Sequence, residues 1–192
     1  MKAIRWCSSA AATAPSIPEQ LPVYALGDAE PRIHPSAYVH PDAVVIGQVE
    51  IGAESTIWPA AVLRGDDGRI LIGEATSIQD GTIIHTTAFQ PTTVGNRCVV
   101  GHNVHLEGCI VEDGSLVGSG SVVLHGAIVR TGALVGANAL VPNGMEIPTG
   151  AMALGVPARL REGTVTPGQF EEAVVSYVER GRRFRTELRR IS

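Results

Sequence analysis

Four side chains of this 192-residue chain could do chemistry together: His85, His102, His105 and Glu107. Imidazole nitrogens and a carboxylate oxygen are donors that zinc accepts, and so does non-haem iron(II). The same histidines could instead serve as general bases. In an extended strand, positions 105 and 107 point to the same side. His105 and Glu107 therefore compete for one place. His34, His40 and His125 lack comparable company and read as surface or corner residues.

The elements that must carry these residues are set by a repeat. Nineteen positions hold Ile, Val or Leu at a step of nearly six: Ile33 to Leu63, then Ile72, Ile78 and Ile84, then Val94, Val100 and Leu106, then Val111 to Ile147. These three types make up about a quarter of the chain, so chance would fill roughly three of the thirteen positions in the two unbroken runs; all thirteen are filled. A period of six suits neither a heptad nor an amphipathic helix. It suits an all-β solenoid in which each unit is one short strand and a corner. Three units close a coil of about eighteen residues, and coils stack at about 4.8 Å. The pattern from Ile33 to Met152 predicts about seven coils. A β-sandwich would lack so regular a step.

Stacking in threes turns the repeat into columns. Leu63, Ile84, Leu106 and Val123 share one face, so Arg64, His85, Glu107 and Leu124 form the next column. Ile57, Ile78, Val100 and Val117 share another face, with Pro59, Asp80, His102 and Ser119 two residues on. His85 and Glu107 should be outward neighbours on adjacent coils. His102 is on a different face and could meet them only from a neighbouring subunit packed around a threefold axis.

Val62-Leu-Arg-Gly-Asp66, Ile78-Gln-Asp80, His85 and Val100-Gly-His102 resemble the motifs of the gamma-class carbonic anhydrase family, itself built on hexapeptide repeats. The match runs from Tyr24-Ala-Leu-Gly-Asp28 to the C-terminal region. The resemblance implies a left-handed parallel β-helix with a C-terminal α-helix, the left hand being against the usual crossover rule. It implies a homotrimer with a divalent metal at each subunit interface, Zn2+ or alternatively Fe2+, and hydration of CO2 to bicarbonate by metal-activated water. Carried over, His85 and His102 match two ligands, Arg64 and Asp66 the pair that links subunits and braces the site, and Gln79 the hydrogen-bonding partner of the reacting water. Ser77 stands where the family usually has Asn.

The third ligand departs from the family. Glu107 occupies the expected histidine position in Gly101-His102-Asn-Val-His105-Leu-Glu107-Gly108-Cys109. Three outcomes stay open: Glu107 ligates; His105 ligates with Glu107 as general base or backing group; or the site holds no catalytic metal. The loop Thr86-Thr-Ala-Phe-Gln-Pro91 lacks the carboxylates of fast family members. A carboxylate ligand would also weaken the Lewis acid, so slow hydration is expected. A metal-dependent lyase is thus the leading reading. An acyl-CoA transferase or thioesterase using a histidine base and a non-catalytic trimeric scaffold are the alternatives.

Composition bounds the rest. The net charge of −4 gives no general pull toward nucleic acid, and no apolar stretch is long enough to span a bilayer. Cys7, Cys98 and Cys109 form no CxxC pair, which suggests a reducing cytoplasm. Residues 1–20 read as a disordered extension, since Lys2 and Arg5 are not followed by an adequate apolar region. The expected division is an extension over 1–20, a β-helix over 21–160 and a helical segment over 161–192. Thr166 as N-cap and Pro167 at the first helical position predict the helix start, with Gly181 as a break or bend and Phe184, Leu188 and Ile191 as a continuing stripe. The arginines between Arg180 and Arg190 read as a solvated or ion-paired face.

Overall fold

A computed structural model describes residues 22–191. The extension over 1–20 lies outside the described residues. The six-residue step becomes a parallel β-helix of about seven turns with one C-terminal helix. Leu63, Ile84, Leu106 and Val123 pair side by side on one face. Ile57, Ile78, Val100 and Val117 do so on another. Both columns are those expected from stacking units in threes. Every aliphatic residue of the repeat except Ile33 is buried. A single inward side chain per strand fills the narrow prism, so β-branched residues and leucine suffice and few aromatics are needed.

The two wider gaps in the repeat, between Leu63 and Ile72 and between Ile84 and Val94, take different forms. Arg64–Arg69 is not a loop: one strand, Val62–Ile72, runs around the corner beside Val44–Ile51, with a register irregularity between Gly47 and Val49. This continuity joins two faces into a 12-stranded sheet, and the third face is an 8-stranded sheet. Thr86–Pro91 is a tight turn closed by an antiparallel bridge between Thr87 and Gln90. It presents Phe89 at 93% exposure. Corners elsewhere need glycine for distinct reasons. Gly114 sits at φ +66°, while a Cβ on Gly73 would lie 2.6 Å from the Gly95 backbone carbon.

After the last coil the chain passes a cis Val156–Pro157 bond, and the strand Arg159–Arg161 folds back antiparallel on Met152–Leu154. The helix spans Glu171–Glu187 with Phe170 at the N-cap, four residues later than its predicted start. Gly168 at φ +75° interrupts any helical path from Thr166, whose amide donates instead to Gln169 Oε1 at 3.0 Å. Gly181 neither breaks nor ends the helix. It is buried, and a Cβ there would sit 2.5 Å from Thr56 Cγ2, so glycine lets the helix lie flat on the solenoid. Phe184 packs edge-on against Trp58 with ring centroids 5.1 Å apart, and Tyr177 meets the same indole at 6.0 Å. Leu188 and Ile191 lie beyond the helix end, exposed. Arg182 pairs with Glu54 at 2.8 Å and Arg97 with Glu171, which fastens the helix to the coils.

Candidate metal centre

His85 ends the strand Ile83–His85, where alternation turns Ile84 inward and His85 outward. Its register partners are Arg64 on one adjacent coil and Glu107 on the other. Glu107 Oε1 lies 2.9 Å from His85 Nδ1, and Asp66 Oδ1 lies 3.0 Å from His85 Nε2. Arg64 donates to the other oxygen of Asp66. His105 Nε2 lies 3.3 Å from Glu107 Oε2. Arg64, Asp66, His85, Glu107 and His105 thus form one chain of polar contacts on an outer face.

The hydrogen bond to His85 is the main reason the Glu107 carboxyl is held below the usual carboxylate range; partial burial opposes it, and His105 and His125 add to it. For Asp66, partial burial pushes upward, but its backbone hydrogen bond, Arg64 and His85 together outweigh that and lower it. Both nitrogens of His85 therefore face ionised carboxylates. A neutral imidazole has only one N–H. A neutral His85 can therefore donate to only one of the two carboxylates at a time.

Other candidate residues lie outside this cluster, His102 on the separate face that the stacking gave it. His102 is on the adjacent face, half exposed, with Nδ1 2.9 Å from Asp80 Oδ2. Among the described residues it makes no contact with His85 or Glu107, so one chain does not assemble the expected ligand set. Gln79 is 4% exposed and has no hydrogen bond to His85, His102 or Glu107. The Ser77 hydroxyl accepts from Trp58 Nε1 at 3.0 Å and from Thr56 beneath the C-terminal helix. The short side chain at this position therefore has partners of its own.

Three further residues enter the site. His125, read from sequence as without company, has Nε2 3.7 Å from Glu107 Oε1. Its ring leans across Gly108, where a Cβ would lie 3.0 Å from it. The signal was present in the stacking, since Gly126 donates to the Gly108 carbonyl one coil away. Asp67 is the second: its ligand-capable atom and those of Asp66 and His85 all lie within 4.8 Å of one another. Thr92 is the third. Its hydroxyl donates to the His85 carbonyl and accepts from the Gly108 amide at 2.8 Å, so it ties the ends of both site strands. Cys98 and Cys109 are free and buried, and burial pushes both thiols up to about 12. They carry no nucleophile for this site.

No family model matches the chain. The carnitine operon protein CaiE of Escherichia coli is 45% identical over 95 residues, which is 50% of this chain and 48% of that protein. The chain thus spans about half the length of the curated relatives it matches. The structure of a candidate acetyltransferase from Bacillus cereus is 32% identical, covers 86% of this chain and 98% of its own, and superposes with a TM-score of 0.84. A hexapeptide transferase family protein from Anaplasma phagocytophilum is 29% identical over 83% of this chain and 96% of its own, with a TM-score of 0.79. Fold and repeat define a left-handed parallel β-helix protein. The chain belongs to the hexapeptide-repeat family. Among the described residues, no helix is long and apolar enough to cross a membrane.

Proposed function

We propose that the chain is a gamma-carbonic-anhydrase-like metalloprotein that forms a homotrimer and hydrates CO2 slowly at sites shared between subunits. The observation that carries this is His85 itself, with carboxylates 2.9 and 3.0 Å from its two nitrogens. Nitrogen and carboxylate donors in this cluster fit Zn2+, with Fe2+ as the alternative. His85 and the Glu107 cluster would hold the ion from one subunit and His102 from the next. When bound, such an ion lowers the pKa of a water toward about 7.

The protein's own residues then have separable tasks. Glu107, rather than His105, engages His85 directly and holds the imidazole in place. Its negative charge makes the centre less electrophilic than three neutral histidines would, which favours slow turnover. Asp66, braced by Arg64, meets Nε2, the ring nitrogen that a bound ion would take over. The turn over Thr86–Pro91 contributes no carboxylate to carry protons away.

Acyl transfer from coenzyme A is the second reading. His102 is half exposed with a carboxylate at Nδ1, an arrangement that suits a general base. CO2 hydration and thioester turnover, each measured with and without chelator, separate the two. Chelator-sensitive hydration that rises in Glu107→His supports the anhydrase reading. Thioester turnover that is indifferent to chelator, with no hydration in either protein, overturns it.

A further inference from the structure

Asp80 and His102 stack on adjacent coils, where the Asn103 amide donates to the Asp80 carbonyl at 2.9 Å. Asp80 Oδ2 lies 2.9 Å from His102 Nδ1, the same separation as Glu107 Oε1 from His85 Nδ1. Two outward histidines on two faces of the prism thus each have Nδ1 backed by a carboxylate from a neighbouring coil. We propose that Asp80 is a positioning residue for His102: it keeps the proton on Nδ1 and turns Nε2 outward toward the adjoining subunit.

The column supports this assignment. Pro59 and Ser119, the flanking members, carry no charge, so Asp80 is the column's one carboxylate. The side chains of His102 and Asp80 are 50% and 49% exposed, and an ion pair so open to water adds little to stability. Its use is orientation. A neutral imidazole in water prefers its proton on Nε2, which would close the outward nitrogen to coordination. An acceptor at Nδ1 reverses that preference and fixes the ring, as carboxylates behind metal-bound histidines do. The metal-affinity part of the inference rests on the interfacial metal reading; the tautomer part stands without it.

The test uses the full-length protein stripped of metal by chelator, with imidazole 15N NMR above neutral pH and zinc affinity by competition with a chromophoric chelator. The wild type should show His102 protonated on Nδ1. Asp80→Ala should move that proton to Nε2 and weaken zinc binding by about 10–100-fold. Asp80→Asn keeps an acceptor oxygen and loses the charge. It should hold the wild-type tautomer, with an affinity between the other two. An unchanged His102 tautomer in Asp80→Ala overturns the proposal; where the wild type binds zinc, an Asp80→Ala affinity equal to wild type overturns its metal-affinity part. Should Asp80→Ala not fold, wild-type affinity in Asp80→Asn overturns it instead. A wild type that binds no zinc, yet shows the tautomer change in Asp80→Ala, sinks the metal reading and leaves Asp80 as the residue that orients His102.

Discussion

Thr86→Val should stabilise the protein, whereas the same change at Thr92 should destabilise it. Both threonines are 0% exposed and both flank the site, so burial does not distinguish them. Their partners do. The Thr92 hydroxyl serves the His85 carbonyl and the Gly108 amide. The Thr86 hydroxyl has no hydrogen-bond partner among the described residues, and it is hemmed in by Gly68, where a Cβ would lie 3.1 Å away. A buried polar group without a partner costs about 1–3 kcal/mol in lost hydration. Replacing that hydroxyl by a methyl of similar size should recover about 1–2 kcal/mol. Thr92→Val instead strands an amide and a carbonyl, at a cost of about 2–4 kcal/mol. For a chain of this size, 1 kcal/mol moves Tm by roughly 2–4 °C. Thermal unfolding at one fixed protein concentration should then show a rise of roughly 2–8 °C for Thr86→Val and a fall of roughly 4–16 °C for Thr92→Val. A fall for both variants would refute the reasoning, because it would mean that the Thr86 hydroxyl is satisfied in the folded protein.

Gly101→Ala places a Cβ 2.7 Å from the Ser119 amide nitrogen, so it should lower the urea midpoint by an amount equivalent to about 1–3 kcal/mol; an unchanged midpoint would contradict the stacking geometry. Glu107→His should raise the rate of CO2 hydration measured by stopped flow with a pH indicator, and a rate equal to or below wild type would count against a modified anhydrase centre. Acid should destabilise the protein. Glu112 is held below the usual carboxylate range first by Arg130 and then by Thr131, and Glu107 and Asp66 are also lowered. A carboxylate that binds its proton less readily when folded stabilises above the ordinary range, and that stabilisation is lost as pH falls through the folded value. The drop in denaturant midpoint from pH 7 to pH 3 should therefore be smaller in Glu112→Gln than in wild type, and an equal drop would argue against the Glu112–Arg130 contribution.

The coil was legible because each strand sends one aliphatic side chain inward, so the six-residue step alone placed Leu63, Ile84 and Leu106 in one column. His85 beside Glu107 followed from the same arithmetic. What was missed depends on contacts that spacing does not encode. His125 reaches Glu107 only because Gly108 has no side chain to hold its ring away. Thr166 and Pro167 form a sound local start signal, but Gly168 takes a left-handed conformation and delays the helix to Glu171. Spacing showed only a wider gap between Leu63 and Ile72, and that gap pairs as strand because Val44–Ile51 runs beside it around the corner.

Native mass spectrometry of protein prepared anaerobically with zinc or iron(II) supplied tests the shared metal site most directly. The account predicts an assembly of three chains carrying one divalent ion per chain, with the ions lost when Glu107 and His102 are both replaced by alanine. A trimer that carries no metal under those conditions, or a monomer that binds its ion alone, would contradict it.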